Sequence, residues 1–220
     1  MRFGAGAAGH PSVLIVPPLF DEANRLRRTL ALTMRALAMH GTASVLPDLP
    51  GQNDTLLPTD KSSLSGWRAA LQEFAARESG QLIVASWRGG ALIDDAVTNA
   101  LGYWRMAPAA GSSIVKTMLR TRIAGEKEAG RTVTADEIRA SATARPVELA
   151  GNWLSAAMLA ELEAATPADV APLRQVAVGA GEGKLPGSAL WLRAEPGEDA
   201  AMAQAMAADI HAWAMTCAAG

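Results

Sequence analysis

Cysteine is all but missing. Cys217 stands alone in 220 residues, so no internal disulfide can form, and no Cys/His grouping has the spacing of a metal site. Histidine is almost as scarce: His10, His40 and His211 lie far apart along the chain, so no short motif pairs a base with a nucleophile. A strong charge of either sign is absent too, and a net charge of -2 leaves no basic footprint for nucleic acid. No uncharged stretch reaches the roughly 18–20 residues of a membrane helix. The first apolar run is broken by Pro17-Pro18 and makes a poor signal peptide. A cytoplasmic protein without metal or cofactor is the expectation. Half of the residues are apolar, which suits a globular chain, long enough for one α/β domain and too short for two comfortable ones.

One stretch organises the rest: Gln81-Leu-Ile-Val-Ala-Ser-Trp-Arg-Gly-Gly-Ala-Leu92. A short apolar strand, Leu82 to Ala85, runs into a tight turn, Ser86 to Gly90, and then a helical run from Ala91 to Leu101. That is the layout of a nucleophile elbow, where small residues are needed because the turn is strained and its helix packs close to the strand. Ala85 and Gly89 supply them if Trp87 is at the tip; Ser86 and Gly90 supply them if Arg88 is. Neither choice puts Ser, Cys or Asp there.

Before the elbow, Val13 to Val16 reads as a buried parallel strand, because strands covered on both faces lose polar alternation. Asp21 or Glu22 opens a helix with Leu26, Leu30, Met34 and Leu37 on one face, stopped at Gly41. Ala43 to Leu46 is a second strand, followed by a turn-rich loop to Asp54, which caps or turns its own loop. Ser63 or Ser65 caps another helix, with Leu64, Trp67, Leu71 and Phe74 inward. The β-α-β-α-β-α order predicts a mainly parallel sheet with helices on both faces. Ligands of such sheets sit beyond the carboxyl ends of the strands, so Pro17 to Asn24, Asp48 to Asp54 and Ser86 to Gly89 should share one rim.

After the elbow the pattern changes. Tyr103 to Met106 reads as a strand, Ser112 to Ala124 and Thr134 to Ala142 as helices, Pro146 to Trp153 as a hairpin and Ser155 to Ala164 as a helix. Within one domain spanning 1–220, residues 103–167 read as a small helical cap or lid insertion. Gln175 to Val178 and Ala189 to Leu192 are the last strands expected, and a helix of about 200–217 carries Met202, Met206, Ile210, Trp213 and Cys217 on one face. Gly4 to Gly9 matches G-x-G-x-x-G literally but precedes a strand, and reads as a low-complexity tail. Gly179 to Lys184 is near a phosphate loop in composition, but Leu185 stands where Ser or Thr would reach magnesium, so a flexible loop is expected.

Together, Val-Leu-Ile-Val-Pro-Pro (13–18), Asp48-Leu-Pro-Gly51 with Asp54, and the elbow resemble the α/β-hydrolase fold. More closely, the chain resembles the exosortase-associated hydrolases of the second type. Pro17-Pro18, Phe20, Asp21-Glu22, Asn24 and Arg27-Arg28 match their first loop. Ser86-Trp-Arg-Gly-Gly-Ala91 is similar to their Gly-Leu-Arg-Leu-Gly-Ala elbow, which favours Arg88 at the tip. Trp104 to Gly111 and Val147 to Ser155 resemble segments of their cap. The likeness spans about residues 12–165, and Gly89 departs from it where members have Leu. It implies a bacterial cytoplasmic protein linked to exopolysaccharide production and exosortase protein sorting, with no known substrate.

Acyl hydrolysis needs a nucleophile, a base, an acid that orients the base, and two N–H groups for the oxyanion. Ser86, beside the tip, is a weak nucleophile candidate. The loop after the last strand, Arg193 to Asp199, has no His. His211 reads as a surface or packing residue, His40 as a helix end, and His10 as part of a loose N-terminus. A degenerate site that binds a small anionic or acyl ligand is therefore expected. Arg88 would stand at its mouth, with Leu19, Phe20, Glu22, Asn24, Arg28, Trp87, Gly89 and Glu195 around it. Two roles for Arg88 stay open: an anion receptor with the elbow N–H groups, or a salt bridge in which Glu22 or Asp21 ties loop to elbow. The alternative activity is an ester or thioester hydrolase using Ser86.

Overall fold

The computed structural model describes residues 1–53, 55–193 and 195–220, so Asp54 and its expected turn lie outside the described residues. Among them a seven-stranded sheet runs in the order β1-β3-β2-β4-β5-β8-β9. Its strands are β1 (Arg2–Phe3), β2 (Ser12–Val16), β3 (Ser44–Val45), β4 (Leu82–Trp87), β5 (Ala100–Met106), β8 (Leu173–Val178) and β9 (Lys184–Leu185). A separate hairpin joins β6 (Val147–Leu149) to β7 (Asn152–Leu154). Every pairing in the large sheet is parallel except β1 with β3.

Alternate side chains of the central strands feed two cores. Val13, Ile15, Ile83, Ala85 and Trp87 meet α1 (Asp21–Met39) and α6 (Ala200–Ala219) on one face. Leu14, Val16, Leu82 and Val84 meet α2 (Leu64–Arg77), α3 (Gly111–Glu128) and α5 (Ala156–Ala164) on the other. Both faces are covered, which is why these strands are uninterrupted apolar runs. The Met202, Met206 and Ile210 stripe is fully buried. Trp87 and Trp104 pack in the same core with their rings tilted by 53° and their centroids 5.1 Å apart. Trp104 donates to Asp209 Oδ2 at 2.7 Å, and Trp87 Nε1 points at Met206 Sδ, both on α6.

Helix starts follow their caps. Ser63 accepts from the Gly66 N–H, Ser155 from Met158 and Asp199 from Met202. Thr134 and Glu137 form a full capping box ahead of α4 (Ala135–Ala142). Each cap satisfies an otherwise orphan N–H and is worth about 1 kcal/mol.

Several expectations are corrected. The N-terminal tail is not all loose: Arg2–Phe3 adds an antiparallel edge strand to β3. Residues 91–101 do not form a helix; short 3-10 turns at Arg88–Leu92 and Asp94–Ala96 lead directly into β5. Leu190–Leu192 is a 3-10 turn rather than a strand, while Lys184–Leu185, placed in or beside a flexible loop, pairs with β8. Position 103 lies inside β5, so the excursion from the sheet begins after Met106. Its helices and hairpin share a core with Leu64, Trp67 and Leu71 of α2.

Candidate functional site

The elbow turns on Arg88. Its φ is 52°, the left-handed region that a residue with a Cβ rarely adopts, and Trp87 ends the strand before it. Arg88 is therefore the tip. Trp87, expected as a possible ligand wall, is fully buried. Close approach explains both glycines that follow. A Cβ on Gly89 would lie 2.5 Å from Ile114 Cδ1 and 3.1 Å from Leu19 Cγ, and one on Gly90 would lie 2.6 Å from the Pro17 carbonyl oxygen. The space over the turn, where an acyl group would enter, is occupied by Leu19 and Ile114. Leu19, Phe20 and Gly89 are core residues here.

The Arg88 side chain is held on every side. Nε and Nη2 donate to the two Glu22 oxygens at 3.2 Å, and Nη1 donates to the Ala107 carbonyl at 3.0 Å. The guanidinium also lies 4.9 Å over the Trp191 ring, a favourable cation–π placement. Glu22, not Asp21, makes the pair; Asp21 binds Arg25 one turn on. Burial pushes the Glu22 carboxyl above its ordinary range, and Arg88 opposes that shift. No α-helix starts at the turn, so the aligned N–H groups and dipole that favour an anion at a helix start are not assembled.

Ser86 faces away from the tip into a buried network. Its hydroxyl donates to Asp94 Oδ2 at 2.6 Å. Arg105 donates to the same carboxylate through Nε at 2.9 Å and Nη2 at 2.7 Å, and to the Ala168 carbonyl through Nη1. Burial pushes the Asp94 carboxyl up, while the Arg105 and Ser86 hydrogen bonds hold it down. Three donated bonds call for the acceptor-only carboxylate.

The three histidines, distant in sequence, meet in space. His211 stacks on His40 at 5.2 Å, lies 5.9 Å from His10, and shares a 2.8 Å hydrogen bond with Thr42 Oγ1 through Nδ1. His10 precedes β2 and His40 follows α1, so the cluster sits at the amino edge of the sheet, opposite the elbow. No imidazole can serve Ser86 or the tip from there. Burial, His40 and His10 together hold the His211 pKa below its ordinary value. The unfolded chain then takes up the proton more readily, so this contribution to stability is complete above about pH 6.5 and is lost as pH falls through the folded pKa. The thermal midpoint should drop between about pH 7 and pH 5, and H211Q should flatten that drop. Identical slopes in the two proteins would contradict this.

Beside the elbow lies an open groove of about 750 Å³. The outward face of α1, the loops after β2 and β3, and residues 196–198 line it. Of the residues expected at the rim, Asn24 and Arg28 are in its wall; Pro17 and Asp48 join them. Glu195 is exposed, and it is Glu198 of the same loop that pairs with Arg28. Sequence reasoning named Arg27 only in the family likeness and missed Arg35, although the spacing of Asn24, Arg27, Arg28 and Arg35 marks the polar face of α1 opposite its apolar stripe. It also missed the Asp94–Arg105 pair, whose signal was a charge set in each of two apolar runs.

With this geometry in hand, solved structures give a comparison. Est1E from Butyrivibrio proteoclasticus, solved with ferulic acid, superposes with a TM-score of 0.56 at 14% identity, over 81% of this chain and 73% of that one. The chain has the α/β-hydrolase fold. The pyrethroid hydrolase PytH aligns over 95% of this chain and 98% of its own at 12% identity, TM-score 0.50. No family model and no curated protein matches the sequence. Within an α/β-hydrolase fold the tip of the elbow is where a nucleophile would stand; here that place carries a guanidinium locked to a carboxylate. Among the described residues no group of His, Cys, Asp and Glu could hold a metal ion, and no helix is long and apolar enough to cross a membrane.

Proposed function

We propose that this α/β-hydrolase-fold protein has no acyl-transfer chemistry and acts by binding a small anionic or acyl ligand without cleaving it. The observation that carries this reading is the Arg88–Glu22 pair at the elbow tip. A guanidinium stays protonated and cannot attack a carbonyl carbon, and three of its N–H donors go to Glu22 and Ala107. The Ser86 hydroxyl donates its hydrogen bond to Asp94, a carboxylate already paired with Arg105 and unsuited to act as a free base. The motif likeness of residues 12–165 supports a role in a bacterial cytoplasmic system for exopolysaccharide production or exosortase sorting, with proteins of that system as partners.

The test combines a fluorophosphonate probe with p-nitrophenyl acyl esters. The expected result is no covalent label and no turnover above the uncatalysed rate, in the parent and equally in R88S, since a hydroxyl at the tip would still lack a base. Labelling that S86A abolishes would overturn the reading in favour of an atypical hydrolase.

A further inference from the structure

We infer that the groove along α1 is a binding site for an amphiphile that carries one compact anionic head, a carboxylate or phosphate monoester, on a linear apolar chain. This inference rests on the non-hydrolytic reading above and names the site and ligand class for it. The elbow itself is filled, so the open concavity at the same rim has to receive the ligand. Its volume of about 750 Å³ is that of ordinary small-molecule pockets.

Charge decides the head group. Arg27, Arg28 and Arg35 line the groove, and Arg28 is neutralised by Glu198. The other two are cations without a carboxylate partner among the described residues. Arg27 donates to the side-chain oxygen of Asn53, which itself donates to Asp48 at 2.6 Å. Arg35 lies over the Phe3 ring at 5.7 Å. Both partners are neutral, and a charge-assisted bond to an anion is roughly twice as strong as a neutral one.

Spacing decides where the anion lies. Arg27, Ala31 and Arg35 are successive i, i+4 positions, one above another on a single helix face. Ala31 puts only a methyl group between the two arginine positions on that face, and a carboxylate or phosphate is placed there. Leu30, Leu46 and Pro47, also in the lining, offer an apolar wall for the tail. Two cations on one helix face beside a hydrophobic wall suit an amphiphile better than a sugar or a free inorganic ion.

Isothermal titration calorimetry at low ionic strength tests this with decanoate and decyl phosphate, against decanol and decyltrimethylammonium. At least one anion should bind about 10-fold or more tighter than both controls, and the tighter of the two identifies the head group. R27Q and R35Q should each weaken that anion by about 10-fold, the effect of losing one hydrogen bond to a charged group. A31W should abolish binding; A31L is the milder variant if tryptophan disturbs the helix. Equal affinity for decanol, no anion binding at millimolar concentration, or affinity unchanged in both arginine variants would overturn the assignment. Covalent labelling of Ser86 would instead defeat the non-hydrolytic reading, so the two failures are told apart.

Discussion

Asp94→Ala is expected to cost about 3–5 kcal/mol of folding stability, the usual effect of removing one partner from a buried ion pair. Asp94 is fully buried and Arg105 nearly so. Without the carboxylate, Nε and Nη2 of Arg105 and the Ser86 hydroxyl would lose their buried acceptor. The Ala168 carbonyl would remain to accept from Arg105 Nη1. Ser86→Ala removes a single donor and should cost only about 1 kcal/mol, while leaving the Asp94–Arg105 pair whole. Urea denaturation of the two variants measures the difference. A cost below about 1 kcal/mol for Asp94→Ala would mean the pair is not held as the structure shows. The contrast also bears on mechanism, because a serine whose removal changes stability and nothing else is a structural residue.

Gly90→Ala should be nearly as damaging, at about 3 kcal/mol. The added methyl would meet the backbone oxygens of Pro17 and Val16 at 2.6 and 2.7 Å, and backbone at the end of a central strand cannot step aside. Either β2 and the elbow must separate or the turn must open, and the Arg88–Glu22 pair spans that same junction. A control of opposite sign lies in α3. Gly125 is helical and a Cβ there would touch nothing within 4 Å, so Gly125→Ala should stabilise by about 0.5–1 kcal/mol. Two glycine-to-alanine changes with opposite signs would tie the first loss to crowding at the elbow. Equal and small effects would refute it.

The scaffold was legible where periodicity and burial agree. Leu14, Val16, Leu82 and Val84 announced buried strands, the stripes Leu26-Leu30-Met34-Leu37 and Met202-Met206-Ile210 announced packed helices, and Thr134 with Glu137 announced a helix start. Residues 91–99 misled because local helical pattern lost to long-range bonds: Asp94 turns inward to Ser86 and Arg105, and Asp95 is drawn outward by two bonds from Arg68 on α2. The Leu190–Leu192 segment has strand-like composition, yet Leu190 and Trp191 are both buried, so the alternation of a strand edge is not followed. For the site, the absence of Ser, Cys and Asp from the tip could be read from the sequence, and so could Arg88 and Glu22 as candidates. Their pairing was one of the two roles left open for Arg88, and spacing alone could not choose between them or between Glu22 and Asp21. The meeting of His10, His40 and His211 leaves no trace in spacing, since three different elements bring the rings together.

The Trp87–Trp104 pair also has a spectroscopic consequence. Two indoles held at a fixed tilt and in near contact couple their electronic transitions, and the resulting exciton couplet in circular dichroism disappears once the rings move independently. One ring belongs to the elbow strand and the other is anchored to α6 through Asp209. The label-free signal therefore follows the docking of the C-terminal helix onto the sheet.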